Sequence, residues 1–197
     1  MSNVVTATIK IKGTRPLLWH AFTPAAIPLQ KQEKTGVAGN DPNEWRRTVL
    51  ATGNRQLYLQ PTYVFGCLRD GARHTKKGRG SLQPLVAATV QVMDDKVLID
   101  RFLPDGAELT TDAEQPVYLD VRSVRNPATR ALNVRYRVAA APGWTMTFTV
   151  EWDKTVVSRQ EMQAVILDAG RLVGIGDGRA VGFGRFTVEE FEVSGGD

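Results

Sequence analysis

The sequence is poor in residues that bind structural metals or form disulfides. Its 197 residues include one cysteine, Cys67, and two histidines, His20 and His74. A single cysteine cannot form an internal disulfide, and these three side chains are too few for a zinc quartet. We therefore expect neither a structural metal nor a disulfide. Cys67 lies on the apolar side of a predicted helix, where an inert core thiol is expected.

Long apolar runs are also missing. No stretch approaches the roughly 18 uninterrupted apolar residues of a membrane-spanning helix, and the start, MSNVVTATIKIKG, lacks the charged-then-apolar pattern of an export signal. These absences predict a cytoplasmic protein without a membrane partner. The composition, 42% apolar and 23% charged, is that of an ordinary globular chain. The length favours one domain spanning residues 1–197.

Charge is sorted along the chain. The net charge is +4, yet residues 69–79 alone hold five cations and one acid, and residues 122–137 hold five arginines and no acid. Residues 94–120 hold eight acids against two cations. A basic side attracts polyanions through counterion release, and arginine forks fit phosphate and stack on bases. The pattern favours a nucleic-acid partner over solvated surface charge.

The periodicity predicts strands alternating with two helices. A helix is expected over residues 61–77, with Pro61 at its start and Gly78 past its end. A second helix follows Ser158, which forms a capping box with Glu161. Residues 17–22 are a candidate continuation of the first strand, and residues 93–95 are the predicted turn of a hairpin. The predicted strands are residues 4–12, 57–59, 86–92, 96–102, 117–124, 132–140, 145–153 and 184–193.

This order of elements predicts an α+β fold. Strand, helix, strands, helix, strand is the order of an RRM-like, or ferredoxin-like, antiparallel sheet with two helices on one face. A long loop, residues 23–56, is inserted after the first strand, and its proline- and glycine-containing part, residues 23–43, has no periodicity. Loops of that length in compact domains are usually functional or mobile.

Two local features carry candidate binding residues. On the predicted first helix, Arg69, Arg73, Lys76 and Lys77 fall at i, i+4, i+7 and i+8, which predicts one basic stripe. In the tripeptide Trp45-Arg46-Arg47, an aromatic ring beside two cations can stack a base and hold its phosphate. The alternative for Trp45 is a core anchor that closes the loop.

A glycine-rich segment, GIGDGRAVGFGRF, occupies residues 174–186. It lacks the Gly-Lys-Ser/Thr ending of a P-loop, and it follows a helix instead of preceding one, unlike a dinucleotide fingerprint. We therefore expect no cofactor. The segment predicts a loop whose backbone, with Arg179 and Arg185, approaches phosphates or a neighbouring chain. The alternative is a bulged turn that joins helix to strand.

These motifs resemble those of the RAMP superfamily of CRISPR-associated RNA-binding proteins. Gly174-Ile-Gly176 and Gly182-Phe-Gly184 are similar to the superfamily's glycine-rich signature between the second helix and the last strand. Pro61-Thr62, Gly66 and Arg69 resemble the element that opens its first helix. The long loop and the basic first helix look most like the backbone subunit, which coats guide RNA.

The resemblance implies a non-catalytic subunit of a CRISPR ribonucleoprotein that polymerises along single-stranded guide RNA. Its partners would be that RNA, copies of itself and other effector subunits. Residues 23–43, or the hairpin around Asn126, would form the RNA-kinking thumb. The residues expected to bind RNA are Arg69, Arg73, His74, Lys76, Lys77, Arg79, Trp45, Arg46, Arg47, Gly174, Gly176, Gly178, Arg179, Gly182, Phe183, Gly184 and Arg185.

Two alternatives stay open. The superfamily also contains metal-independent endoribonucleases that process guide RNA with a histidine, and His20 has the side-chain chemistry for that proton transfer. Its apolar neighbours, among them Leu18 and Trp19, favour a packed or stacking histidine instead. The other alternative is a phage or mobile-element relative that binds single-stranded nucleic acid or mimics a CRISPR subunit.

Overall fold

The computed structural model describes residues 3–26, 41–106, 108–125, 130 and 132–195. The strands are β1 Val4–Gly13, β2 Leu17–Leu18, β3 Gln56–Leu59, β4 Lys76–Lys77, β5 Gly80–Ser81, β6 Gln91–Val92, β7 Val97–Phe102, β8 Val117–Arg125, β9 Leu132–Ala140, β10 Thr145–Asp153 and β11 Phe186–Ser194. The helices are α1 Glu44–Thr48, α2 Pro61–Gly71, α3 Gln83–Thr89 and α4 Arg159–Asp168. A π-helical turn, Ala169–Val173, extends α4.

The main sheet is antiparallel, with strand order β11-β1-β10-β7-β3. Alternation explains the inner strand β1, because Val5, Ala7, Ile9 and Ile11 are buried while the residues between them are not. The buried side chains of β1 pack in one core with those of α2 and α4. The α+β fold with an antiparallel sheet predicted from the sequence is therefore what the structure has.

A second, three-stranded sheet has the order β2-β9-β8. The predicted continuation of β1 through residues 17–22 is wrong, because Leu17 and Leu18 pair with Ala140 and Ala139 of β9 instead. Pro16, which has no amide hydrogen to give to a ladder, stands where the chain leaves the main sheet. This change of sheet brings the start of β2 beside residues 174–185.

The predicted first helix is too long. Helix α2 ends at Gly71, and Lys76 and Lys77 form strand β4, which pairs with β5 across a turn at Gly78, φ +59°. The apolar arc of α2 has no further apolar residue beyond Ala72 to bury, and helices in proteins depend on that burial. The prediction of one basic stripe on a helix face is therefore wrong.

The prediction of one strand over residues 86–92 is also wrong, since only Gln91–Val92 form a strand, β6. Residues 86–89 belong to α3, and Val86 is buried together with Leu82 and Val90 at the two ends of this helix, at helical spacing. Short apolar runs do not distinguish helix from strand. Nor do residues 93–95 turn a hairpin, since β6 and β7 both run along β10. Asp94 in this interruption accepts a 2.7 Å hydrogen bond from the amide of Thr149.

Several predicted elements are confirmed. Strands β8, β9, β10 and β11 lie within two residues of their predicted bounds, and Ser158 and Glu161 form the capping box at the start of α4. Of the predicted loop at residues 23–56, residues 27–40 lie outside the described residues, and so do residues 126–129 and 131, which include Asn126. No helix in the described ranges is long and apolar enough to span a membrane.

Candidate nucleic-acid interface

Residues 174–185, the Gly-rich loop, lie against the chain segment that joins β1 to β2. The amide of Gly184 donates to the carbonyl of Pro16 at 2.8 Å, and the amide of Asp177 donates to that of Leu18 at 2.9 Å. Within the loop, the amide of Ile175 donates to the carbonyl of Gly184 at 2.9 Å. These bonds fix both limbs of the loop on the body of the protein.

Glycines are required in this loop by the chain's own packing. A Cβ on Gly184, whose φ is +67°, would lie 1.7 Å from the carbonyl oxygen of Ile175, and one on Gly174 would lie 2.5 Å from that of Phe183. Gly176 and Gly178 are similarly crowded, whereas Gly182 faces open space. The sequence predicts that the backbone of this loop approaches phosphates or a neighbouring chain. In the structure, the close contacts of the glycines are with other residues of the same chain. Contact of these glycines with RNA stays a prediction.

The end of α2 and the Gly-rich loop share one concave surface, the helix groove, of about 700 Å³. Its cations are Arg73, Arg179 and Arg185. Asp70 joins the two elements, because its carboxylate lies 3.9 Å from the guanidinium of Arg73 and 3.4 Å from that of Arg179. Arg73, one cation of the predicted stripe, therefore lies beside the Gly-rich loop.

The other cations of the predicted stripe lie elsewhere. Lys77 donates to the carbonyl of Val156 at 2.8 Å and pairs with Glu161 at 3.2 Å, beside the start of α4. His74, Lys76 and Arg79 are exposed around the β4–β5 hairpin. Arg69 stays near the helix groove through its 3.0 Å ion pair with Asp70.

A second depression, the hairpin groove, lies between the β8–β9 hairpin and the Gly-rich loop and measures about 770 Å³. The guanidinium of Arg122 lies over the ring of Phe183, 4.7 Å from its centroid, a cation–π contact. The sequence shows the run of arginines in residues 122–137 but does not show which of them share a surface. That depends on the strand register, which pairs Arg122 with Arg135 and Asp120 with Arg137 and sets which side chains share a face. The cationic residues that line the groove are Arg122, Arg125, Arg135 and Arg137.

Arg137 holds the hairpin to the Gly-rich loop. Its guanidinium, 7% exposed, lies 3.2 Å from Asp120 of β8 and 2.7 Å from Asp177 of the loop. Removing one partner from a buried ion pair is strongly destabilising because the other charge is left uncompensated. The relative position of the two grooves is thereby fixed.

The two grooves adjoin each other, and together they are called the arginine trench. They meet at Asp177, Gly178 and Ala180, which line both. The trench contains seven arginines, and Asp70 and Asp177 are the acids among its described lining residues. Each of these acids is paired with an arginine. The cationic residues that line the trench are Arg73, Arg122, Arg125, Arg135, Arg137, Arg179 and Arg185.

His20 lines the hairpin groove with its side chain 31% exposed. Its Nε2 lies 3.1 Å from Oε1 of Glu44, which also pairs with Arg135 and accepts from the amide of Tyr136 at 3.2 Å. Burial raises the pKa of Glu44, but the hydrogen bonds from His20, Tyr136 and Arg135 outweigh burial, so its pKa is lowered. Catalysis by His20 stays a prediction.

We expect Glu44→Gln to lower the free energy of unfolding by about 1–2 kcal/mol at pH 7, because a carboxylate that accepts three hydrogen bonds is replaced by a neutral amide. Since the pKa of Glu44 is lowered by folding, its stabilisation is present above the ordinary value of 4.5 and is lost as the pH falls through the lowered value. Urea unfolding should show a smaller difference in the free energy of unfolding between the wild type and Glu44→Gln at pH 4 than at pH 7. Glu108→Gln, at a side chain 93% exposed, is the control and should change little at either pH.

None of Trp45, Arg46 and Arg47 lines the trench. The ring of Trp45 packs against the core and lines a separate depression of about 370 Å³, with Arg46 stacked on it 4.5 Å from its centroid. Arg47 pairs with Asp41. Packing against the core is one of the two roles that the sequence leaves open for Trp45, and base stacking here stays a prediction.

Cys67 is a core residue, as the sequence predicts. It is 1% exposed, and burial raises the pKa of its thiol to about 12. A thiol with this pKa is almost entirely protonated at neutral pH, and the thiolate is the reactive form. Cys67 therefore contributes packing and no chemistry.

Among known proteins, similarity is found to solved structures. No protein family matches the sequence, and no curated protein does. A chain of the "Cryo-EM structure of the Type III-B Cmr-beta bound to cognate target RNA" is similar, with a TM-score of 0.46 and 15% sequence identity. The likeness covers 96% of this chain and 60% of that one, so this chain spans less than two thirds of its length.

Proposed function

We propose that this protein binds single-stranded RNA in the arginine trench, as a RAMP-type subunit that coats guide RNA in a CRISPR ribonucleoprotein. The observation that carries the proposal is the trench itself, with its seven arginines around the Gly-rich loop and two acids that are already paired. A surface of this kind gains affinity for a phosphate backbone by releasing counterions.

The order of strands and helices supports this proposal. Strand β1, helix α2, strands β7 and β10, helix α4 and strand β11 follow one another, and the sheet order is β11-β1-β10-β7. A split βαβ arrangement of this kind is the ferredoxin-like, RRM-like pattern. Strand β3 and the β2-β9-β8 sheet are additions to it.

The composition of the trench favours a single strand. Arginine forks bind phosphates bidentately and stack on unpaired bases, which a duplex does not offer. Val181, 77% exposed, and the Arg122–Phe183 pair place apolar and planar surface beside the cations. Binding would follow the backbone and depend little on base sequence. Copies of the protein would then lie side by side along one RNA, with other effector subunits at its ends.

The test is a binding titration with the purified protein. We expect tight binding to two unrelated 30-nucleotide RNAs at 50 mM KCl and weaker binding to a duplex, measured by fluorescence anisotropy. At about four phosphate contacts, the log–log slope of affinity against salt should be near −3. A matched single-stranded DNA tests for recognition of the 2′-hydroxyl, and negative-stain images of the RNA complex test for side-by-side copies. Failure to bind either RNA at 50 mM KCl contradicts the proposal.

A further inference from the structure

A third concave surface, the arginine pocket, lies beside the helix groove and measures about 500 Å³. Arg15, Arg171 and Arg185 line it, together with Thr14 and Thr187. No acid is among its described lining residues. The sequence by itself points only to Arg185 as a binding residue, because Arg15 and Arg171 are isolated cations in the sequence.

Three separate parts of the chain bring these arginines together. The amides of Thr14 and Arg15 both donate to the carbonyl of Arg185, at 2.8 Å and 3.3 Å, so the turn after β1 is tied to the end of the Gly-rich loop. Arg171 lies on the π-helical turn after α4, where the adjacent Gly170 approaches the carbonyl of Phe186 so closely that a Cβ would lie 2.4 Å from it. The backbone of the pocket is therefore fixed before any ligand binds.

The arginines of the pocket have no carboxylate partner among the described residues. In the described ranges, no carboxylate lies within 4 Å of a side-chain nitrogen of Arg15 or Arg171, and Nη1 of Arg185 is buried without a hydrogen-bond acceptor. The trench differs, since its two acids are each paired. Three like charges around one concavity repel one another, and a buried guanidinium nitrogen without an acceptor costs free energy. An anion with several oxygens would offset the repulsion among the three guanidinium groups.

We propose that Arg15, Arg171 and Arg185 form a phosphate-binding site. Guanidinium forks match the oxygens of a phosphate, and the hydroxyls of Thr14 and Thr187 offer additional donors. Arg185 lines both this pocket and the helix groove, so an RNA strand that leaves the trench reaches the pocket directly. The assignment of the phosphate to RNA rests on the proposed function. The site takes either a backbone phosphate or a terminal 5′-phosphate.

Pyrophosphate is the probe for the site itself. At 5 mM, with ionic strength matched by KCl, we expect it to raise the melting temperature of the wild-type protein by about 2 °C or more through linkage. Arg15→Gln with Arg171→Gln should abolish most of that shift, because two of the three proposed phosphate ligands are lost. Both side chains are exposed, so we expect the variant to keep its fold. Arg55→Gln with Lys96→Gln removes the same charge elsewhere and should keep the shift. A wild type without a shift, or a double variant that retains it, overturns the phosphate site.

RNA then distinguishes the source of the phosphate. Loss of affinity by ten-fold or more in the Arg15/Arg171 variant for both 5′-phosphorylated and 5′-hydroxyl 20-mers identifies a backbone phosphate, and loss confined to the phosphorylated 20-mer identifies the terminal one. Unchanged affinity for both overturns the assignment of the site to RNA. A wild type that binds neither RNA but keeps the pyrophosphate shift contradicts the proposed function and leaves the phosphate site standing.

Discussion

Arg73→Glu combined with Arg125→Glu is expected to weaken binding of a 30-nucleotide RNA by about 100-fold at 100 mM KCl. Both side chains are exposed, and Arg73 lines the helix groove while Arg125 lines the hairpin groove. Reversing their charge removes two cations that we propose bind phosphates, and it adds repulsion at both places. The salt slope should become shallower by about 1.4, at roughly 0.7 for each phosphate of a single strand that is no longer neutralised. Fluorescence anisotropy at four salt concentrations measures both quantities.

The control for this experiment changes net charge equally at a distance from the trench. Arg55→Glu with Lys96→Glu alters two exposed cations near β3 and β7, and we expect affinity to stay within about three-fold of the wild type, since the Debye length at this salt is about 10 Å. Equal reductions in affinity in the two variants would mean that net charge, and not the trench, determines binding. Unchanged binding in the Arg73/Arg125 variant would exclude the trench as the RNA site.

Gly184→Ala is expected to lower the free energy of unfolding by about 3 kcal/mol or more. Its Cβ would lie 1.7 Å from a backbone oxygen of Ile175, at a φ of +67° that alanine adopts only with strain. The Gly-rich loop would have to separate from residues 14–18, and the trench would lose one wall. Chemical denaturation followed by circular dichroism measures the destabilisation, and RNA affinity should fall with it.

Gly66→Ala is the matched substitution in the other glycine-containing motif. A Cβ on Gly66, inside α2, meets nothing within 4 Å, so we expect stabilisation by about 0.5–1 kcal/mol from the better helix propensity of alanine. If the free energy of unfolding falls for Gly184→Ala and rises for Gly66→Ala, the loss at Gly184 is due to its packing and not to replacement of glycine in general. Equal unfolding free energies for Gly184→Ala and the wild type would contradict the packing described here.

Prediction from the sequence succeeded where a local pattern and the tertiary environment agree. The alternation in β1 and β10 and the capping box at Ser158 each specify one structure, and the fold contains them. Prediction failed at α3 and at the end of α2. A short apolar run fits both helix and strand, and the end of a helix depends on whether the next turn has a surface to bury.

The sequence by itself determined most elements of the fold, the separation of charge into basic and acidic segments, and the positions where glycine is concentrated, because these follow from short-range steric and hydrophobic rules. Tertiary structure alone decided which cations lie together. Lys77, adjacent to the helix in sequence, lies beside Glu161, while Arg15 and Arg171 line one pocket from distant parts of the chain. Strand register and the contact of glycine backbones with the β1–β2 segment set these positions, and both depend on packing between remote segments.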